Sequence, residues 1–213
     1  MMPNRSEQEL GSATLFRNRD VRCQNRKVMT APQHTSRSIT VRACTEGDMR
    51  AVTEIYAHHV IHSPATFELE PPDLVEMIRR RRAIVAGGYV YLVAEARSGI
   101  VGYAYVAAFR SRPAYRFTVE DSVYVRAGEE RKGIGLRLLQ ALLDECETKL
   151  FRQMIAVIGD SANHASIELH RRLGFRMIGT FYSSGFKFGR WIDTVLMQKE
   201  LGEGGHTPPM EAA

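Results

Sequence analysis

The 213-residue chain is 44% hydrophobic and 25% charged, the balance of a water-soluble domain long enough to bury a proper core. Its apolar runs break within about ten residues, short of the ~20 that a membrane-spanning helix needs. Of its net charge of +5, residues 1–38 carry +4, from seven Arg or Lys against three acids, so the basicity belongs to the leader and argues against a nucleic-acid-binding face on the body. Cys23, Cys44 and Cys146 form no CxxC pair and leave one over in any disulfide scheme. That is cytoplasmic usage, and the three are not a metal set.

In chain order, residues 1–37 are rich in Arg, Asn, Gln and Ser without sustained periodicity and read as a disordered leader. They lack the apolar core of a secretory signal, and Glu7, Glu9 and Asp20 weaken an Arg-rich transit peptide. Translation starting at Met29 is the reading we favour for this stretch. Order is expected over 38–201, with 202–213 a disordered tail. Ile39 to Ala43 reads as a strand. Thr45-Glu-Gly-Asp48 leads into a helix through about Ile61, with Met49, Val52, Ile55, Tyr56 and Val60 on one stripe. His58 and His62 have the i,i+4 spacing a metal could use, but no third ligand accompanies them, so solvated or supporting histidines are the better reading. Pro71-Pro72 opens a second helix to about Val85, whose Arg79–Arg82 run reads as a solvated face.

Tyr89–Ala96 and Ile100–Phe109 read as strands joined by an Arg97-Ser-Gly99 hairpin turn. Phe117–Arg126 alternates as a strand. Glu129–Gly135 is a basic, glycine-containing turn, and leucines at 136, 138, 139, 142 and 143 give the following helix its apolar stripe to about Thr148. Gln153–Ile158 is apolar enough for an interior strand. Ser161–Leu173 is a helix stopped by Gly174, and Phe175–Tyr182 and Arg190–Gln198 close the sheet. The order β-α-α-β-β-β-α-β-α-β-β makes an α/β protein with a mixed, mostly antiparallel sheet flanked by helices.

The stretch from Thr118 to Leu136 organises the rest. A strand, a glycine turn and a helix start form an anion site, because free backbone N–H groups and the positive helix end face one place. The turn is neither GxxxxGK[ST] nor GxGxxG. Glu130-Arg-Lys-Gly133-Ile-Gly135 resembles the pyrophosphate loop of the GNAT superfamily of N-acetyltransferases, written Gln or Arg, two residues, Gly, one residue, Gly or Ala. Glu130 departs at the first position. The element order over 38–201 resembles that superfamily too. Thr118-Val-Glu-Asp-Ser-Val-Tyr-Val125, Ala156-Val-Ile-Gly159, Leu169-His-Arg-Arg-Leu-Gly-Phe175 and Gly185-Phe-Lys-Phe-Gly-Arg-Trp-Ile-Asp193 are similar to its phosphinothricin and methionine sulfoximine/sulfone acetyltransferase branch.

The resemblance implies a GNAT fold, acetyl-CoA as co-substrate without a metal, a small amino acid as acceptor and a homodimer. Arg131 and Lys132, with the backbone of Gly133, Ile134, Gly135 and Leu136, are expected at the cofactor phosphates, and the backbone of Val123, Tyr124 and Val125 along its pantetheine arm. Asn163 either touches that arm or caps its helix. Acetyl transfer from a thioester to an amine needs a base, donors for the oxyanion and an acid for the thiolate. Glu120, a mid-strand carboxylate, is the candidate base, with pairing to Arg110 or Arg116 as its structural alternative. Asp121 falls on the other face and is the weaker candidate. His170 occupies the place of the superfamily's acidic Tyr, as an acid or as part of a hydrogen-bond network. Arg110, Ser111 and Arg112, with Glu120, Asp121 and Ser122, are expected to bind the acceptor, a guanidinium suiting its anionic group. Lys187, Phe188 and Trp191 either wall the pocket or serve packing and dimer contacts. A peptide N-terminus or polyamine as acceptor, or a CoA-binding module without catalysis, are the other readings.

Overall fold

The computed structural model describes residues 39–209; the expected leader, Ser38 and residues 210–213 lie outside this range. The elements follow the expected order: β1 (Thr40–Ala43), α1 (Met49–His62), α2 (Leu74–Ala86), β2 (Tyr91–Ala96), β3 (Gly99–Ala108), β4 (Thr118–Val125), α3 (Ile134–Thr148), β5 (Gln153–Gly159), α4 (His164–Arg172), β6 (Arg176–Lys187) and β7 (Arg190–Glu200). The strands form one sheet in the order β1-β2-β3-β4-β5-β7-β6. Only β4 and β5 pair in parallel, joined by the α3 crossover.

Alternation along β4 decides what each face meets. Val119, Val123 and Val125 pack into a core with Leu138, Leu139 and Leu142 of α3, while Tyr124 packs on the opposite face with the α1 stripe. All five stripe residues named from the sequence are buried. Gly102 of β3 lets α3 approach closely: a Cβ there would lie 2.9 Å from Tyr124 O and 3.1 Å from both Ile134 Cγ2 and Leu138 Cδ1.

Several boundaries differ from the sequence reading, each for a physical reason. Pro71 and Pro72 precede α2 instead of opening it; its cap is Asp73, whose carboxylate accepts the Glu76 N–H at 2.8 Å. The Arg79–Arg82 run is more than a solvated face. Arg79 and Arg80 fork onto Glu76, Arg80 also reaches Glu68, Arg81 donates to the Cys44 carbonyl, and Arg82 reaches Glu46. β6 does not stop at Tyr182. Its pairing with β7 shifts between Phe181 and Gly185, where Ser183 takes a positive φ and its N–H is held by Asp193 Oδ1 at 2.9 Å. That irregularity reads as a loop in sequence, but the strand resumes to Lys187 and turns at Phe188-Gly189, both left-handed. Past β7, Leu201 and Gly204 are buried, and Arg152 donates to Thr207 Oγ1 and the Pro208 carbonyl, each at 3.2 Å. No helix of the described residues is long and apolar enough to cross a membrane.

Candidate active site

The decisive geometry is a parting of two central strands. β4 and β5 pair only from Thr118–Gln153 to Asp121–Ala156. Beyond that point β4 keeps its register with β3 as far as Val125, and β5 keeps its register with β7 as far as Gly159. The two strands therefore diverge, and the β5-facing backbone groups of Ser122–Val125 have no strand partner. A cleft of about 610 Å³ opens there, lined among others by His59, Val123, Tyr124, Gly133, Asn163 and His170.

One wall is the start of α3. Gly133 is left-handed at the cap, with φ 77 and no side-chain capping bond. The first-turn N–H groups of Ile134, Gly135 and Leu136 have no intrahelical acceptor, and the positive end of the helix faces the cleft with them. In the preceding turn Lys132 Nζ donates to Gly128 O and Glu129 Oε2, each at 2.8 Å. Glu130 folds back and accepts the Gly128 N–H at 2.8 Å. The residue that departs from the motif thus spends its carboxylate on its own loop.

The start of α4 makes another wall. Asn163 caps this helix, its Oδ1 accepting the Ser166 N–H at 3.2 Å, and it also lines the cleft. Ser161, equally suited to the cap by sequence, instead donates to Asp193 Oδ2 at 2.7 Å. Further along α4, His170 is 3% exposed. Its Nε2 lies 3.0 Å from Asp121 Oδ2 and its Nδ1 2.7 Å from the Ser166 carbonyl. Both partners are acceptors, so the ring satisfies them as a doubly protonated imidazolium. Burial works against that charge, but the charge and hydrogen bond of Asp121 and the Ser166 carbonyl outweigh it and raise the His170 pKa. Asp121 Oδ1 is buried without a partner among the described residues.

On the α1 face stand Glu120, Ser122 and Tyr124. Burial, then the neighbouring Asp121 charge, push the Glu120 pKa above the ordinary carboxylate range. Among the described residues no hydrogen bond or ion pair offsets this, so the pairing with Arg110 or Arg116 is not formed. Arg110 lies over the rings of Phe109 at 5.0 Å and Tyr115 at 5.4 Å and donates to Tyr115 Oη at 3.3 Å. Ser111 and Arg112 are exposed in the same connection. Neither these three residues nor Glu120 belongs to the cleft wall, whereas Asp121 and Ser122 do. Phe188 and Trp191 are exposed; Lys187 is buried.

His59 was missed as a wall residue. Its Nε2 donates to the freed Val125 carbonyl at 2.9 Å, and burial lowers its pKa despite that bond. The neutral ring then leaves Nδ1 as a buried acceptor without a partner among the described residues. The signal was available: His59 follows Ile55 and Tyr56 by four and three residues, on the same stripe. His58 and His62 are exposed with ring centres 4.7 Å apart. No group of three or more His, Cys, Asp or Glu suited to a metal occurs among the described residues.

Residues 41–196 match the family described as the acetyltransferase (GNAT) domain. The chain belongs to this family. The acetyltransferase is 49% identical over 170 residues to a phosphinothricin N-acetyltransferase of Alcaligenes faecalis, covering 80% of this chain and 86% of that one. It is 39% identical over 171 residues to an L-methionine sulfoximine/L-methionine sulfone acetyltransferase of Salmonella typhimurium, covering 80% and 98%. Among solved structures, a GNAT superfamily phosphinothricin acetyltransferase of Sinorhizobium meliloti in complex with AcCoA superposes with a TM-score of 0.79 at 48% identity, covering 81% of this chain and 94% of that one. The family match starts in β1 and ends in β7, so it spans both walls of the cleft.

Proposed function

We propose that the protein transfers the acetyl group of acetyl-CoA to the α-amine of a small amino acid of the phosphinothricin or methionine sulfoximine/sulfone type. The observation that carries this is the parting of β4 from β5. It presents the backbone of Val123, Tyr124 and Val125 to a strand-like pantetheine arm, with the α3 N-terminus at one end for the phosphates. Arg131 and Lys132 add positive charge there, and Asn163 adds an amide.

Glu120 acts as general base, taking the proton of the attacking ammonium directly or through one water. Its raised pKa brings the carboxylate nearer to an amine's task than an ordinary glutamate. A strand amide facing the thioester oxygen stabilises the developing oxyanion. His170, with both ring nitrogens engaged, serves as a fixed positive charge beneath the leaving thiolate; handing over a proton requires it to release one of its partners. Arg110, Ser111 and Arg112, with Ser122, are assigned to the acceptor side, whereas Asp121 is committed to His170 on the other face of β4. Transfer is direct: Cys44 and Cys146 are buried and free, and burial pushes their thiols up to about 11 and about 12, so neither supplies a thiolate nucleophile. Free buried thiols also suit a cytoplasmic workplace. Two copies pair through the β6 edge, where Phe181 and Tyr182 stand exposed, with Trp191 of β7 exposed at the end of the same hairpin.

The test is thiol release from acetyl-CoA with methionine sulfoximine, methionine sulfone, phosphinothricin and spermidine offered in turn. Release with any of the first three, reduced at least ~100-fold in Glu120→Gln at unchanged acetyl-CoA affinity, is the expected result. Silence with all four despite acetyl-CoA binding would move the reading to a peptide acceptor or a non-catalytic module.

A further inference from the structure

Among the described residues Lys187 is the one buried cation that this mechanism leaves unused, and it sits where a cation is costly. It is 4% exposed, and its hydrogen-bond partners are two backbone carbonyls, Ser63 O at 3.0 Å and Thr66 O at 2.8 Å. An ammonium held by carbonyls and no directly bonded carboxylate keeps much of its desolvation cost, so an apolar side chain would fill the space more favourably. What the ammonium adds is a grip on the turn from Ser63 to Phe67. The same turn is pressed from two other directions. A Cβ on Gly159 would lie 2.0 Å from Pro64 O, and one on Gly185 would lie 2.2 Å from the Phe67 ring. The turn therefore rests directly on the backbone of β5 and β6. Tyr56 Oη adds a hydrogen bond to Thr66 Oγ1 at 2.9 Å.

Ser63 and Ala65 of this turn line the cleft beside Ser122 and Tyr124, on the α1 side of β4. We propose that Lys187 is a positioning residue for the acceptor, fixing the Ser63–Thr66 turn that shapes the amine's side of the cleft while leaving the cofactor's side untouched. This rests on the amine acetyltransferase reading above. It makes the tip of the β6–β7 hairpin, remote in sequence from the central strand, a determinant of which amines fit.

The experiment compares full-length wild type with Lys187→Met, which keeps length and loses the donors, and with Gly185→Ala, which displaces Phe67 from the other side. Amide hydrogen exchange over residues 63–67 should quicken about tenfold or more in Lys187→Met, the turn having lost two charged hydrogen bonds. The acceptor KM should rise by about the same factor in both variants, with acetyl-CoA affinity within about twofold of wild type. Unchanged exchange overturns the proposal, as does a parallel loss of acceptor and cofactor binding, or quickened exchange at unaltered acceptor KM. Should Lys187→Met fail to fold, Lys187→Arg, which keeps the charge on a longer planar group, is to show the same split at smaller size. If wild type acetylates none of the amines, the amine reading fails first; exchange and acetyl-CoA affinity then decide whether Lys187 holds the turn.

Discussion

Glu120 and Asp121 are adjacent in sequence and opposite in circumstance. Asp121 faces α4 and is bonded to His170, while Glu120 faces α1 with burial and a neighbouring negative charge raising its pKa. A base with a raised pKa loses its active form as pH falls through that value. The acid limb of kcat/KM for the amine is therefore expected above the ordinary 4.5 of a glutamate, and absent in Glu120→Gln; a limb that survives the substitution assigns it to another group. The His170 pair has the converse sign. A raised histidine pKa contributes stability that is full below the ordinary 6.5 and lost as pH rises through the folded value. Asp121→Asn should cost about 3 kcal/mol in urea unfolding at about pH 6, with the deficit shrinking toward about pH 9. Strand alternation made the split between the two carboxylates legible in sequence. The partner of Asp121 was not legible, since 49 residues separate it from His170 and no local period links them.

At the scale of elements, periodicity carried far where a stripe met a core and failed where a strand is irregular. The α1 stripe was named in full, yet β6 was cut short because Ser183-Ser-Gly185 imitates a turn. The pairing that continues past it depends on Asp193 of the next strand, which a local reading does not weigh. The parting of β4 from β5 was likewise invisible, being a property of two registers that share no sequence. Close approach of β3 to α3 rests on Gly102. Gly102→Ala should destabilise by about 1–3 kcal/mol through overpacking, read as a lower urea midpoint at unchanged slope. An unchanged midpoint would mean that α3 moves aside without cost.

For the whole molecule, element order pointed to one mixed α/β sheet, while its GNAT form came from the resemblance of the Glu130–Gly135 loop and the flanking motifs. Its two ends differ. β1 is a short edge of four residues, whereas β6 is a long one bearing Phe181, Tyr182 and Phe186, with Trp191 across the hairpin at 62% exposure. Apolar edges of this kind are covered in soluble proteins. Phe181→Ser combined with Trp191→Ser should halve the mass measured by light scattering, from a dimer to a monomer; a wild type that already scatters as a monomer refutes the pairing.

The divergence of β4 and β5 puts an unfinished sheet edge inside the protein instead of on its perimeter. Exposed edges invite strands from other chains and so carry an aggregation hazard. This one runs only from Ser122 to Val125 and is walled by α1, α3 and α4. The same enclosure that gives the acetyltransferase its cleft thus shields this short edge, whose Val125 carbonyl already accepts from His59, from becoming a seed for misassembly.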